Sequence, residues 1–229
     1  RALLMVTGQC AINCRYCFRR HFPYEDHRLS PEDRSQALKA LSDDTRINEV
    51  IFSGGDPLVA NDRLLSAWAE ALAAIPHIRR LRVHTRLPVV IPQRVSDSLI
   101  AWLSGSRLQS VVVIHVNHPA ELDADTQQAL VRLKAAGVTL LNQSVILKGV
   151  NDNARVLAEL SERLFECGVL PYYLHAFDPV AGAHHFEVSD DKARDLVRQL
   201  ITVLPGFLVP RLVREIPGQP GKTPLDLFA

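Results

Sequence analysis

The sequence predicts an α/β fold built on a parallel sheet, either a barrel or a doubly wound sheet. Two observations support this prediction. Short β-branched apolar runs alternate with helix-period segments along the whole chain, which is the order of repeated βα units. The strand-like runs are apolar on both faces, as expected for parallel strands that are covered on both sides. No linker, low-complexity segment or charged block interrupts the pattern, so residues 1–229 are predicted to form a single domain.

The apolar runs predict six clear strands and one weaker strand. The strands span residues 2–8, 49–55, 80–85, 110–117, 138–147 and 170–177, with the weaker one at 207–215. The helices between them are predicted at residues 31–42, 61–74, 97–104, 123–136, 152–167 and 189–204. Capping residues support four helix starts, namely Ser30 before Pro31, Asp123, Asp152 and Ser189.

Composition narrows the classes of function. A net charge of +1 offers no general attraction to nucleic acid or to an anionic membrane surface. No apolar run approaches the about 20 residues of a membrane-spanning helix, and the N-terminus lacks a signal-peptide pattern. Four cysteines are too few for a disulfide framework in a chain of this size. We therefore expect a cytoplasmic protein that acts on a small molecule and has no nucleic-acid or membrane partner.

Polar or glycine-rich motifs follow every predicted strand. They include "SGGD" (53–56), "HTR" (84–86), "HVNHP" (115–119) and "PGQPGKTP" (217–224), with His175 and Asp178 at the end of the sixth strand. Because the carboxyl ends of parallel strands meet on one face, these motifs predict an active site there.

Three of the four cysteines, Cys10, Cys14 and Cys17, fall within eight residues after the first strand. The spacing C-x3-C-x2-C can bind three irons of a cubane iron–sulfur cluster and leave the fourth iron open. A structural zinc site normally needs four protein ligands, and His21 could complete one, so this alternative stays open. Cys167, within a predicted helix, fits a small buried apolar residue better than a fourth ligand.

The motif C-x3-C-x-aromatic-C, with Tyr16 as an aromatic expected to shield the cluster, resembles the signature of radical S-adenosylmethionine (SAM) enzymes. In that family, SAM chelates the open iron of a 4Fe–4S cluster and is cleaved to a 5′-deoxyadenosyl radical. The resemblance implies a partial parallel (β/α) barrel of the radical SAM type with about six βα units. "SGGDP" resembles the family's glycine-rich segment, which makes Ser53, Gly54, Gly55 and Asp56 implied SAM contacts. Glycines there would let the backbone approach the ligand closely.

Lys222 lies in a rigid glycine–proline loop on the predicted active-site face. A lysine there could form a Schiff base with pyridoxal 5′-phosphate (PLP), although an isolated lysine would be taken for an exposed loop residue. The ordered motifs resemble the lysine 2,3-aminomutase family, which uses the cluster, SAM and PLP. These motifs are "CRYCFRR", "SGGDPL", "HTRLPVVIPQR", "HVNHPAE", "NQSVILKGVND", "PYYL", "GAHHF" and "PGQPGKTP".

The family resemblance implies a role for each matching position. It implies that Lys222 binds PLP covalently, that Arg1 contacts the PLP phosphate and that Arg19 binds the substrate carboxylate. It further implies that His115 and Gln143 contact SAM.

The resemblance also places two acids, Asp178 and Glu215, at the distal ammonium of the substrate. Two acids there would select a dibasic amino acid, because a buried ammonium must be paired. The implied reaction moves the amino group of L-lysine from C2 to C3 and regenerates SAM.

Three differences from lysine-degrading members concern the C-terminal part of the chain. Glu215 stands where those members usually have aspartate, "GQPG" replaces "GGGG", and the chain stops at "LDLFA" without a cysteine-bearing zinc segment. These differences resemble the bacterial branch that makes (R)-β-lysine for elongation factor P. The implied partners are L-lysine, elongation factor P with its β-lysine ligase, and an electron donor such as flavodoxin or ferredoxin. The family also has an upstream helical segment, and we expect the natural N-terminus to lie upstream of residue 1.

Three alternative functions stay open. The first is a catabolic or biosynthetic aminomutase that makes (S)-β-lysine. The second is a 2,3-aminomutase for glutamate, which the acids Asp178 and Glu215 argue against. The third is a non-catalytic iron–sulfur, zinc or redox-sensing domain, which would leave Lys222 and its loop unexplained.

Overall fold

A computed structural model describes residues 1–17, 19, 22 and 31–228 of the chain. The strands are β1 (Ala2–Thr7), β2 (Glu49–Gly54), β3 (Arg80–Thr85), β4 (Gln109–Ile114), β5 (Thr139–Val145), β6 (Val169–His175), β7 (Arg211–Arg214) and β8 (Thr223–Pro224). The α-helices are α1 (Pro31–Asp43), α2 (Asp62–Ala73), α3 (Leu87–Val90), α4 (Asp97–Ser104), α5 (Ala124–Ala135), α6 (Ala154–Glu166) and α7 (Asp190–Val203).

The sheet is mostly parallel. Strand order follows chain order from β1 to β8. The pairs β1–β2, β2–β3, β3–β4 and β6–β7 are parallel, whereas β8 pairs antiparallel with β7. Helices follow the strands as a βα repeat requires. The predicted α/β class with a parallel sheet is confirmed.

The chain divides into two compact units. The first comprises Arg1–Ile12, Phe22–Ile114 and Gln128–Leu140, and the second comprises Asn13–His21, His115–Gln127 and Leu141–Ala229. That residues 1–229 form a single domain, with an upstream segment missing, stays a prediction.

Each unit has apolar side chains buried between strand and helix. In the first unit, Phe52 of β2 and Val83 of β3 are fully buried, as is Leu65 of α2. In the second unit, Leu174 of β6 packs in a cluster with Leu200 of α7. Burial of these side chains stabilises each unit through the removal of apolar surface from water.

The helix caps confirm two predictions and correct one. Asp123 and Ser189 cap α5 and α7, because each side-chain oxygen accepts a hydrogen bond from the backbone N–H three residues on, at 2.8 and 3.3 Å. Asp152 was predicted to cap α6, and this is wrong. Asn153 caps that helix by accepting the N–H two residues on at 2.8 Å, and Asp152 closes the preceding turn instead. Ser30 lies outside the described residues.

In the described part of the chain, no helix has the length and apolar character needed to cross a membrane.

Candidate active site

In the first unit, the glycine-rich segment at the end of β2 holds the chain that follows β1. The Gly55 N–H donates to the Thr7 carbonyl at 2.7 Å, and the Asp56 N–H donates to the Gln9 carbonyl at 2.8 Å. A Cβ atom on Gly54 would lie 2.3 Å from the Thr7 oxygen, and one on Gly55 would lie 2.2 Å from the Gln9 oxygen. Gly54 also has a φ of 117°, which other residues rarely adopt. The glycines are therefore needed for a close approach between two backbone segments.

These contacts explain why glycine is needed at positions 54 and 55, and the sequence alone did not indicate this reason. We expected them to admit a ligand, whereas the described contacts show them admitting the segment that leads to Cys10. Ser53, beside them, is buried. Contact of Ser53, Gly54 and Gly55 with SAM stays a prediction.

Asp56 connects the end of β2 to the end of β3. Its buried carboxylate accepts hydrogen bonds from the Thr85 hydroxyl and the Arg86 N–H, both at 2.7 Å, and from the Leu58 N–H at 3.1 Å. Burial raises the pKa of the Asp56 carboxyl above its ordinary value, and these hydrogen bonds offset part of that effect. The side chain thus positions neighbouring strand ends, and its predicted contact with SAM stays a prediction.

The three clustered cysteines differ in their exposure to solvent. Cys10 is exposed, Cys14 and Cys17 are partly buried, and the Cys17 N–H donates to the Cys14 carbonyl at 3.2 Å in a turn. Within the described ranges, no three His, Cys, Asp or Glu side chains are grouped as a metal site. Three accessible thiols within eight residues are the donor type that an iron–sulfur cluster takes. The residues fit such a cluster, and their ligation of it stays a prediction.

Of the two other residues considered as metal ligands, the structure describes Cys167. Cys167 is buried at the end of α6, which confirms the small apolar role expected for it. His21 lies outside the described residues.

In the second unit, the side chain of Tyr16 fixes the segment between Cys14 and Cys17. The Tyr16 hydroxyl accepts a hydrogen bond of 2.6 Å from the Asn117 side-chain amide. The Tyr16 ring packs against a buried cluster, formed by Leu147, Phe177 and Ala183. The sequence predicted only that Tyr16 would shield the cluster, so this anchoring contact is new.

Arg15 makes a second contact of the same segment. Its guanidinium lies 3.0 Å from the His185 ring nitrogen Nε2 and 5.1 Å from the centre of the Phe186 ring. These residues belong to the "GAHHF" motif, which supported the family resemblance without indicating a structural role.

Beyond the end of β4, the side chains of buried asparagines make hydrogen bonds to the backbone in place of bonds between strand backbones. The Asn142 side chain accepts the Val116 N–H at 2.9 Å, and the Asn117 side chain accepts the Val145 N–H at 2.8 Å. The side-chain amide of Asn151 donates to the Asn117 carbonyl at 2.8 Å. These bonds explain why β4 ends at residue 114 rather than at the predicted residue 117, and they fix the loop that carries His115.

His115 and Gln143, both predicted SAM contacts, lie together. The two Nε2 atoms are 2.9 Å apart. The Gln143 side-chain amide and the His115 ring are thus within hydrogen-bonding distance of each other. Their contact with SAM stays a prediction.

The antiparallel strand β8 brings Lys222 opposite Glu215. The pairs Val213–Pro224 and Arg214–Thr223 fix the register, and the next pair along would be Glu215 and Lys222. The Lys222 ammonium forms an ion pair with the Glu215 carboxylate, and the lysine side chain is 25% exposed. Lys222 is thus accessible, as covalent attachment of PLP requires, and its amine fits that role. That role stays a prediction.

Asp178 lies close enough to Arg214 and Lys222 for their positive charges to affect its carboxyl. Burial raises the pKa of its carboxyl, and the positive charges of Arg214 and Lys222 lower it in part. Lys222, Glu215 and Asp178, predicted to act together, are therefore brought into one neighbourhood. Arg214 was not predicted. Its guanidinium binds both carboxylate oxygens of Asp190, at 2.6 and 2.9 Å.

His175, at the end of β6, is another member of this group, which the sequence indicated only as a polar residue at a strand end. Its side chain is 8% exposed, and its Nε2 has no hydrogen-bond partner among the described residues. Burial, with a smaller effect of the Lys222 ammonium, lowers the pKa of the His175 imidazole to about 3. His175 is therefore neutral at pH 7.

This low pKa predicts a loss of stability in mild acid. The unfolded chain binds the His175 proton near pH 6.5, whereas the folded chain resists it down to about pH 3. Stability from this residue is therefore complete above pH 6.5 and falls as the pH drops towards 3. Between pH 7 and pH 5, we expect the free energy of unfolding to fall by about 2 kcal/mol more in the wild type than in His175→Phe. Urea unfolding at both pH values measures this, and equal losses would contradict it.

The two predicted arginines differ in exposure. Arg1 is exposed and Arg19 is partly buried. Their contacts with the PLP phosphate and with the substrate carboxylate stay predictions. Arg20, the neighbour of Arg19, lies outside the described residues.

Comparison with known families identifies the superfamily of the chain. The sequence profile of the "Radical SAM superfamily" matches residues 4–160. The chain belongs to the radical SAM superfamily. As the resemblance implied, this superfamily uses an iron–sulfur cluster and SAM.

Curated relatives narrow the family further. L-lysine 2,3-aminomutase from Escherichia coli K12 is 54% identical over 99% of this chain, and the chain spans 66% of that protein's length. The enzyme of the same name from Buchnera aphidicola is 47% identical, with 99% and 67% covered. The one from Clostridium subterminale is 36% identical, with 98% and 54% covered. These relatives confirm the resemblance to the lysine 2,3-aminomutase family, whose cofactors include PLP.

Solved radical SAM structures share the fold. Streptococcus suis SuiB bound to S-adenosylmethionine superposes with a TM-score of 0.66 at 16% identity, over 94% of this chain and 50% of that one. A radical SAM methyltransferase from Sphaerobacter thermophilus gives a TM-score of 0.61 at 15% identity, over 93% and 66%. This likeness confirms the predicted radical SAM fold type.

Proposed function

We propose that this radical SAM protein is a PLP-dependent lysine 2,3-aminomutase that converts L-α-lysine to β-lysine. The observation that carries the proposal is the neighbourhood of Lys222, Glu215 and Asp178, where an amine suited to bind PLP lies among acids suited to bind a substrate ammonium. The 54% identity to the E. coli enzyme of that name supports it.

The acids of this site select the substrate. In the structure the Glu215 carboxylate already pairs with an alkylammonium, that of Lys222. An amine of Lys222 that holds PLP would no longer be a free alkylammonium, and the Glu215 carboxylate would then be available to the distal ammonium of L-lysine. Asp178, which is affected by the charge of Lys222, adds a second carboxyl group to the site. A carboxylate at the distal end of a substrate, as in glutamate, would be repelled.

The remaining predicted residues orient the reactants. Arg19 offers a planar guanidinium for the substrate carboxylate, and Arg1 offers a charge for the PLP phosphate. His115 and Gln143 present a hydrogen-bonded pair for SAM. When bound, SAM and the cluster at Cys10, Cys14 and Cys17 supply a carbon radical that takes hydrogen from C3, and PLP carries the migrating nitrogen.

We further propose that the product is (R)-β-lysine for the modification of elongation factor P. Glu215 and "GQPG", which differ from the lysine-degrading members, support this branch. The partners are then the β-lysine ligase of elongation factor P and a flavodoxin or ferredoxin as electron donor, in the cytoplasm.

An anaerobic assay of the full-length protein tests the proposal. The protein is reconstituted with iron, sulfide, PLP and SAM, reduced with dithionite, and given L-lysine or L-glutamate in parallel. We expect β-lysine from L-lysine, mainly the R enantiomer on chiral chromatography, and no β-glutamate. The S enantiomer would contradict the proposed branch. Conversion of glutamate but not lysine would contradict the proposed binding of the distal substrate ammonium by Asp178 and Glu215.

A further inference from the structure

A buried polar atom without a partner lies beside the proposed substrate site. The Nε2 atom of His175 makes no hydrogen bond within the described chain, and the residue is 8% exposed. An unsatisfied buried nitrogen is destabilising, so a position of this kind calls for an explanation. A bound ligand that completes the missing hydrogen bond would provide one.

The strand register places His175 on the side of Glu215. In the parallel pair β6–β7, His175 is registered with Val213, so both side chains lie on the same face of the sheet. Glu215 lies one residue beyond the end of β7 and two residues after Val213, so continued strand alternation would put its side chain on the same face. His175 therefore faces the carboxylate that holds the Lys222 ammonium, and the effect of that ammonium on the pKa of His175 agrees with this placement.

A third acceptor group beside the two acids would suit the geometry of an ammonium, whose three N–H donors point in different directions. A protonated amine has three N–H donors, and each buried donor needs a partner. Glu215 and Asp178 supply one acceptor group each. A neutral imidazole supplies a third acceptor and adds no charge that would repel the ligand, and the low pKa keeps His175 neutral at pH 7.

We propose that His175 is a specificity-determining residue whose Nε2 accepts the third hydrogen bond from the distal ammonium of the substrate. This inference rests on the proposed function, because it takes L-lysine as the substrate. It assigns to His175 a role that the motifs of the sequence did not indicate. The imidazole then carries its proton on Nδ1, since Nε2 must accept.

Ligand binding without turnover tests this role. The full-length protein, loaded with PLP but without SAM, is titrated with L-lysine and with L-norleucine, and the change in PLP absorbance reports binding. Norleucine has the same carbon chain and lacks the distal ammonium. We expect His175→Phe to weaken L-lysine binding about tenfold, the value of one hydrogen bond to a charged group, and to leave norleucine binding unchanged. His175→Gln, whose amide oxygen can accept, should restore most of the affinity for lysine.

The outcomes separate a specific role from a structural one. Equal weakening of both ligands, or an unchanged preference for lysine, would overturn the inference. A wild-type protein that binds PLP but gives no response to L-lysine would overturn both the inference and the proposed function. An unchanged preference in His175→Phe alongside normal lysine binding by the wild type would overturn the inference alone.

A measurement on the wild type covers the case in which His175→Phe fails to fold. In protein with 15N-labelled histidine, the Nε2 resonance of His175 should move when L-lysine is added, as expected for a nitrogen that gains a hydrogen-bond donor. L-norleucine should leave it in place. Identical shifts with both ligands would overturn the inference.

Discussion

The Lys222→Ala variant is expected to lose covalent attachment of PLP and at least about a thousandfold of the aminomutase activity. Lys222 is one of five lysines in the chain, and it is the one that the β7–β8 register brings to Glu215 and Asp178. Removal of its ammonium leaves the Glu215 side chain, which is 40% exposed, without its ion-pair partner. The change in folding stability should therefore be small.

Borohydride trapping followed by peptide mass spectrometry measures the attachment directly. The wild type should carry reduced PLP on the peptide that contains Lys222. The matched control is Lys148→Ala, which removes an exposed loop lysine and should keep both attachment and activity. PLP trapped on another lysine in the wild type, or activity retained in Lys222→Ala, would show that the assignment is wrong.

The Gly55→Ala variant is expected to lose about 2–4 kcal/mol of stability and most of its iron–sulfur cluster. The new Cβ would lie 2.2 Å from the Gln9 carbonyl oxygen. Because the obstructing atom belongs to the backbone, relief requires movement of the segment next to Cys10. The loss of cluster then follows from displacement of a proposed ligand.

Urea unfolding together with iron and sulfide analysis of the reconstituted protein measures both effects. Gly206→Ala is the matched control, since nothing lies within 4 Å of a Cβ at that position. It should keep the stability and the iron content of the wild type. A Gly55→Ala protein with full iron content and unchanged stability would contradict the role assigned to the glycine.

The sequence predicted those elements whose cause is local. The strand at residues 80–85 and the helix at residues 97–104 have the predicted bounds, because the buried apolar residues of each segment recur at the period of its element. Strand β8 was not predicted. It is two residues long and exists because β7 lies beside it, which the local sequence does not encode.

The candidate site likewise combines residues that sequence motifs identify with a residue whose role appears only in the folded chain. The motifs led to Lys222, Glu215 and Asp178, and the structure brings these residues into one neighbourhood. His175 was recognised only as a polar residue at a strand end. A single histidine has no pattern, and its burial, its unpartnered nitrogen and its proximity to Lys222 exist only in the folded chain.

The most direct test of the proposed function adds an isotope label to the anaerobic assay. The full-length protein is given L-lysine that carries 15N at its α-amino group, and NMR locates the label in the product. Migration of the amino group from C2 to C3 predicts β-lysine with 15N bound to C3. Recovery of the label only at C2, or as free ammonia, would contradict an aminomutase.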